Sequence, residues 1–359
     1  MPLENVVKTS FGTMDSRHLV FLELTDEEGR SGTGESWVNF PRWAAWERRA
    51  AFEQVGIPYL KGRTCDDIHA FIAEMARNLR GPAVQSGTTG PLIQMLCGVE
   101  LALWDLEAKA QELPLSRLLF NDPAPSIRVY ASGLNSPLPW KRIDECMDHG
   151  ITVFKLKVGF GAEDIMNIKE LTQYLGDSGR IAVDANRAWT LNEALEWVKK
   201  LREFDVLWLE EPLKPEEEHW LGELAEMKMV PLAGGENLWI EPGRDDPRTC
   251  AGLPLDIFQP DITKNFPLSA TLILLEILKE RGRKVYPHFL GSAPGQAACL
   301  HLAAGCGNVL QEMDINVNAL RTDLFTEPIA IENGSITMPE RPGLGWELDR
   351  EKIEKLRVT

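Results

Sequence analysis

Apolar and polar positions follow two different rhythms along this chain. Near the start, HLVFLELTDEEGRSGTGES alternates every second residue, breaks at Asp-Glu-Glu-Gly and resumes, which is the pattern of a β-hairpin. Helix-spaced patterns come next, around 43–54, 66–80 and 91–112. The last, CGVELALWDLEAKAQELPL, is rich in strong helix formers and stops near Pro114. NDPAPS (121–126) is a proline-rich break. It closes an α+β unit of residues 1–120 and opens a second, longer unit.

Beyond that break, β-rich runs recur at 127–133, 152–158, 180–186, 206–212, 230–236, 257–261, 284–289 and 309–314, with helical stretches such as LNEALEWVKKLREF between them. Strands alternating with helices predict a parallel sheet, and eight such units over residues 121–330 predict a closed (β/α)8 TIM-type barrel. An open doubly wound sheet is the alternative, but no glycine-rich phosphate loop follows any strand. In one run, FKLKVGF, Lys155 and Lys157 share a face opposite Leu156 and Val158. A strand that aims two lysines to one side needs counter-charges there, because buried lysines are paired.

The strand ends supply them. In a barrel, polar residues at the C-terminal strand ends meet at one mouth. The third strand ends in Asp184 with Asn186, the fourth in Glu210-Glu211-Pro212 and the fifth in Glu236. Asp184, Glu210 and Glu236 are each 26 residues apart, about one βα repeat. One acid in such a place is ordinarily a surface group. Three together repel unless a cation sits among them, and all-oxygen ligation suits Mg²⁺, with Mn²⁺ next. The sixth strand ends in Gln259-Pro260-Asp261, followed by Lys264, and the seventh in Pro287-His288. Neighbouring strand ends let Asp261 hydrogen-bond His288 and raise its basicity. Glu312, on the eighth strand, is either an ion-pair partner or a catalytic group. Two adjacent ammonium groups lower one another's pKa toward working pH, which makes Lys157 a candidate base. Lys155 either assists it or only neutralises the carboxylates.

Bulk composition narrows the partners. The 359 residues carry a net charge of −16, with a pI near 5.0, which argues against nucleic acid or an anionic membrane surface. No apolar run is long enough to span a membrane, and MPLENVVKTSFG lacks a signal-peptide pattern. Six scattered cysteines without a CxxC pair read as reduced thiols, so a cytoplasmic enzyme is expected.

The ordered set Lys155-Leu-Lys157, Asp184-Ala-Asn186, Trp208-Leu-Glu210-Glu211-Pro212, Gly234-Gly235-Glu236-Asn237, Gln259-Pro260-Asp261 and Pro287-His288 resembles the enolase superfamily, within it the mandelate racemase-like subgroup (mandelate racemase/muconate lactonizing enzyme family). GVELALWDLEAKAQELPLSRLL and RPGLGWELD look like that family's cap helix and its C-terminal return, here residues 331–359. The resemblance implies abstraction of the proton α to a carboxylate through an ene-diolate, with a Lys or His base and Mg²⁺. Asp184, Glu210 and Glu236 would be the metal ligands. Lys157 would be one base with Lys155 beside it, and His288 with Asp261 the opposite acid/base. Glu312, if protonated, would donate to the substrate carboxylate. The muconate-cycloisomerase-like subgroup carries a lysine where Asp261 stands; Lys264 is too far into the loop to replace it. Two departures are Phe266-Pro267 in place of a Gly-Gly pair, and a start at the family's second cap segment, which implies that the first cap strand is missing or that the start is wrongly assigned.

Two opposed bases permit racemisation or epimerisation, dehydration of an acid sugar, or lactone cycloisomerisation; dehydration is the favoured expectation. Thr13–His18, as a hairpin loop, and Trp37–Trp43 would roof the mouth, with Asn186, Arg17 and Trp37 as candidate substrate contacts. Arg17 or Arg42 would meet a second carboxylate, unless these residues only build cap core and surface. A small carboxylate substrate and a homo-oligomer are expected, because such barrels often associate. Two other classes remain open: a metal-independent barrel glycosidase, and a catalytically silent carboxylate-binding protein.

Overall fold

The computed structural model describes residues 1–9, 12–38 and 41–357. Strand β1 (Pro2–Thr9) pairs antiparallel with β2 (Gly12–Ser16), and β3 (Val20–Thr25) pairs antiparallel with β4 (Ser31–Ser36). The two ribbons are separate sheets. The second is the expected hairpin; Asp26 Oδ1 closes its turn by accepting from the backbone N–H groups of Glu28 and Arg30. Residues expected as a loop from Thr13 run instead as strand to Ser16. Asn39 and Phe40, in the expected roof segment, lie outside the described residues.

Helices Ala44–Ala51, Ile68–Ser86 and Thr89–Ala110 complete the cap. The third is apolar almost all round and is correspondingly buried. β4 lies directly on it. A Cβ at Gly34 would sit 1.9 Å from Gly98 O, and one at Gly32 would sit 2.1 Å from Ala102 O. The small residues of SGTGES therefore let a strand backbone meet a helix backbone.

Each of the eight expected β-rich runs coincides with a strand: β5 (Ser126–Leu134), β6 (Val153–Lys157), β7 (Arg180–Asp184), β8 (Leu209–Glu210), β9 (Leu232–Gly234), β10 (Ile257–Phe258), β11 (Lys284–Val285) and β12 (Gln311–Asp314). Neighbours pair in parallel from β5 to β11, and β12 returns to pair with β5, which curls the sheet into a (β/α)8 barrel. Between β11 and β12, Gln311 Nε2 donates to Pro287 O at 3.0 Å. A last strand, β13 (Ser335–Thr337), pairs antiparallel with β5.

One apolar core fills the space between barrel strands and helices, with Phe154 and Leu156 of β6 fully buried in it. A second joins cap to barrel through Leu101, Ala108, Leu268, Phe289 and Ala297. The tail ties back to the cap: Leu344 N donates to Asp105 Oδ1 at 2.7 Å, and Arg350 pairs with Glu23. Among the described residues, no helix is long and apolar enough to cross a membrane.

Candidate active site

Phe154 and Leu156 turn outward into the core, so Lys155 and Lys157 turn to the barrel mouth. Lys155 is 1% exposed and is shared by three carboxylates: Glu210, Glu312 at 2.9 Å and Asp184 at 3.7 Å. Its ammonium also lies 5.6 Å from the Tyr130 ring centroid. Lys157 keeps 19% of its side chain exposed and meets Asp184 Oδ2 at 2.5 Å.

The expected mutual lowering of the two lysines does not occur in this arrangement. Burial works against the charge on each, but Glu210 and Glu312 outweigh it at Lys155, and Asp184 outweighs it and the Lys155 charge at Lys157. Both ammonium groups are held above their ordinary pKa. One cation divided among three acids does not neutralise Glu210, whose carboxyl burial pushes upward despite Lys155. Asp184 goes the other way: burial raises it, but Lys157 and Lys155 together bring it below the usual range.

Asp184 and Glu210 are register partners on β7 and β8, so their carboxylates emerge side by side. Glu210 Oε2 accepts from Gln259 Nε2 at 2.6 Å and Trp208 Nε1 at 3.1 Å. Asp184 Oδ1 accepts from the Asn186 N–H at 2.7 Å. Glu236, beyond β9, meets His288 Nε2 at 2.8 Å and Lys264 Nζ at 3.4 Å. Burial raises Glu236, yet His288 and Lys264 hold it well below the carboxylate range.

His288 Nδ1 and Asp261 Oδ2 are 2.8 Å apart, the pair that adjacent strand ends predict. Asp261 Oδ1 is fixed by Thr263 N at 2.9 Å and Thr263 Oγ1 at 2.7 Å. Burial opposes the imidazolium, but Glu236, Glu312 and Asp261 hold His288 well above its ordinary value. Glu312 accepts from Ser132 Oγ and from Phe289 N at 3.3 Å, besides pairing with Lys155.

The structure thus brings Lys155, Lys157, Asp184, Asn186, Glu210, Glu236, Asp261, His288 and Glu312 to one mouth. Lys264 joins them: its ammonium reaches Glu236, bonds Asn237 Oδ1 at 2.9 Å and lies 5.0 Å from the Trp37 ring centroid. Its position in the loop did not reveal that reach. Trp37 therefore borders the mouth through Lys264. Arg17 does not join: it is 3% exposed and pairs with Asp314 at 3.6 Å. Arg42 lines a separate cavity of about 1110 Å³ between the cap and the C-terminal helix, together with His18, Trp46 and Ile353.

Among the described residues, no three Asp, Glu, His or Cys side chains converge closely enough to hold a metal ion. Cations of the chain itself stand between the acids. The donor set nevertheless fits a hard divalent cation: three carboxylates from successive strand ends, with no soft ligand among them. Gln259 Oε1, beside Glu210, is also buried without a hydrogen-bond donor among the described residues.

Residues 1–119 match the mandelate racemase / muconate lactonizing enzyme N-terminal domain, and residues 141–352 match the enolase C-terminal domain-like family. L-talarate/galactarate dehydratase of Salmonella typhimurium is 29% identical over 87% of this chain and 81% of its own length. D-galactarolactone cycloisomerase of Agrobacterium fabrum is 27% identical over 99% and 97%. A mandelate racemase/muconate lactonizing enzyme from Bordetella bronchiseptica superposes with a TM-score of 0.87 at 33% identity, covering 94% of both chains. A variant L-talarate/galactarate dehydratase holding Mg and L-glucarate superposes with a TM-score of 0.85 at 26% identity, over 99% of this chain and 89% of that one. The chain belongs to the mandelate racemase / muconate lactonizing enzyme family of the enolase superfamily.

Proposed function

We propose that this protein is a Mg²⁺-dependent acid-sugar dehydratase that removes the proton α to a substrate carboxylate. One observation carries the reading: a lysine on β6 and an Asp–His pair after β10 and β11 reach the same cluster of strand-end carboxylates from different sides. A barrel glycosidase needs two acids and leaves these three groups without a task. Asp184, Glu210 and Glu236 would hold the metal. Bound there, Mg²⁺ would supply Lewis-acid stabilisation of the negative charge that develops on the substrate carboxylate.

The chain's own groups then divide the proton work. When Asp184 is engaged as a ligand, Lys157 loses the partner that keeps it charged, and burial and the Lys155 charge both favour the neutral amine of a base. Lys157 takes the α-proton. His288, protonated beside Asp261, gives its proton to the β-hydroxyl, which leaves as water. The enol that remains tautomerises to a 2-keto-3-deoxy acid. Lys155 and Glu312 hold the substrate carboxylate end. All six cysteines are free, in keeping with a reducing cytoplasmic setting.

The test is incubation of an acid-sugar library with Mg²⁺ in D₂O, with and without EDTA. Release of a 2-keto acid carrying solvent deuterium at C3, abolished by EDTA, is expected. If no acid sugar yields a 2-keto acid or exchanges its α-proton in folded, metal-loaded protein, the reading is wrong. Lactone cycloisomerisation is the second reading, favoured by the near-complete coverage of the galactarolactone cycloisomerase. It predicts a product of unchanged mass.

A further inference from the structure

We infer that Glu35, in the cap, is a positioning residue for the Asp261–His288 pair, acting through the barrel loop that comes after His288. The inference rests on the acid/base reading of His288 given above. Glu35 lies near the end of strand β4 and is 3% exposed. Its Oε1 accepts from Ser292 N at 3.0 Å, and its Oε2 accepts from Ser292 Oγ at 2.5 Å and Gly295 N at 2.9 Å. The carboxylate therefore seats on the N-terminus of helix Ala293–Ala304, where unpaired N–H groups and the helix dipole favour it. The seat is cut to fit: a Cβ at Gly291 would lie 2.6 Å from Glu35 Oε1, and one at Gly295 would lie 2.8 Å from Oε2. Only Phe289 to Gly291 separate this seat from His288, and Phe289 N is fixed in turn by Glu312.

Two residues further along the cap, Trp37 N donates to Thr263 O at 2.9 Å, and Thr263 fixes the orientation of Asp261. One short stretch, Glu35-Ser36-Trp37, thus grips both loops: the one behind the imidazole and the one behind its carboxylate. A second buried cap acid, Glu100, repeats the device. It accepts from Ser269 N at 3.0 Å and from Ser269 Oγ, at the start of helix Leu268–Glu280, the helix after the Asp261 loop. The cap is in this way the frame that sets the distance between the two members of the acid/base pair.

The test compares Glu35→Ala and Glu35→Gln with a control, Asp105→Asn. Asp105 is also a buried cap carboxylate, but it binds Thr33 N, Lys109 Nζ and Leu344 N, none of them in the two loops behind the pair. The readout independent of turnover is the imidazole Nδ1–H resonance of His288 in ¹⁵N-histidine-labelled protein, assigned by its absence in His288→Asn. Expected in Glu35→Ala is loss of this resonance. On an acid sugar the wild type turns over, kcat should fall about 100-fold, the order of loss for a catalytic group displaced by about 1 Å, with KM and Mg²⁺ affinity unchanged. Glu35→Gln retains two of the three acceptances; it should keep the resonance and stay within about tenfold of wild type. Asp105→Asn should lower Tm and leave resonance and kcat intact. A folded Glu35→Ala that keeps the resonance overturns the inference, as does an equal loss in Asp105→Asn. If Glu35→Ala does not fold, Glu35→Asp, which draws the carboxylate back by one methylene from Ser292 and Gly295, takes its place, and an unchanged resonance there overturns it equally. Failure of the dehydratase reading shows separately, as absence of 2-keto acid formation by the wild type.

Discussion

At the scale of single residues, the mouth is a contest for carboxylates. Lys157 and His288 sit on Asp184 and Glu236, two of the acids proposed to hold Mg²⁺. Removing a ligand should therefore weaken the metal directly. Asp184→Asn and Glu236→Gln are each expected to lower Mg²⁺ affinity, measured by calorimetry, by at least the roughly 10–100-fold that loss of an outer-shell partner costs. The two proton-transfer groups make a different prediction. Lys157→Ala and His288→Ala should each abolish turnover while the protein still folds and still binds Mg²⁺, which meets less competition for the freed Asp184 or Glu236 carboxylate. Full activity in either variant removes that residue from the mechanism. Glu210 differs from its neighbours because three indole, amide and ammonium donors already hold it in place.

At the scale of elements, the decisive contact is β4 against helix Thr89–Ala110. Main chain meets main chain there, and no side chain fits at Gly34. Gly34→Val is expected to destabilise the protein by about 3 kcal/mol, the upper range for overpacking a close contact, measured by chemical denaturation. A wild-type midpoint would show that the hairpin can lift off its helix at little cost. The same contact explains why Glu35 reaches the barrel at all. With β4 held against the helix backbone, its end projects into the loop after His288. The short barrel strands β8 to β11 depend on their neighbours in a different way: two or three residues each suffice because pairing with adjacent strands and the surrounding helices hold them.

At the scale of the whole molecule, cap and barrel share an apolar core and are joined by buried acids. Burial pushes the Glu35 carboxyl up to about 7 from an ordinary 4.5, even though three donors from Ser292 and Gly295 oppose the rise. A carboxyl raised on folding contributes stability that is complete below its unfolded pKa and lost as pH rises through its folded one. For Glu35 that window runs from about 4.5 to 7, and the difference amounts to about 3 kcal/mol. The stability advantage of wild type over Glu35→Gln should therefore be greatest near pH 4.5 and shrink toward pH 7.5. A constant difference in denaturation midpoint across that range would mean that Glu35 does not titrate with folding.

The sequence alone determined what is local and periodic. The hairpin, three cap helices and eight barrel strands arise from alternation, helical spacing and turn residues, because those patterns record which face of each element is buried. The barrel mouth was legible for a related reason: residues at strand ends converge once strands are parallel and in register, so Asp184, Glu210, Glu236, Asp261 and His288 could be grouped from spacing. Only the tertiary structure decided which charge meets which. It held both lysines charged where their adjacency alone suggested the reverse, drew Lys264 into the mouth, and withdrew Arg17 to Asp314. It also set Glu35 behind His288 across more than 250 residues of chain. Such pairings depend on distances between elements remote in sequence and on the balance of burial against partner charge, and neither leaves a period along the chain.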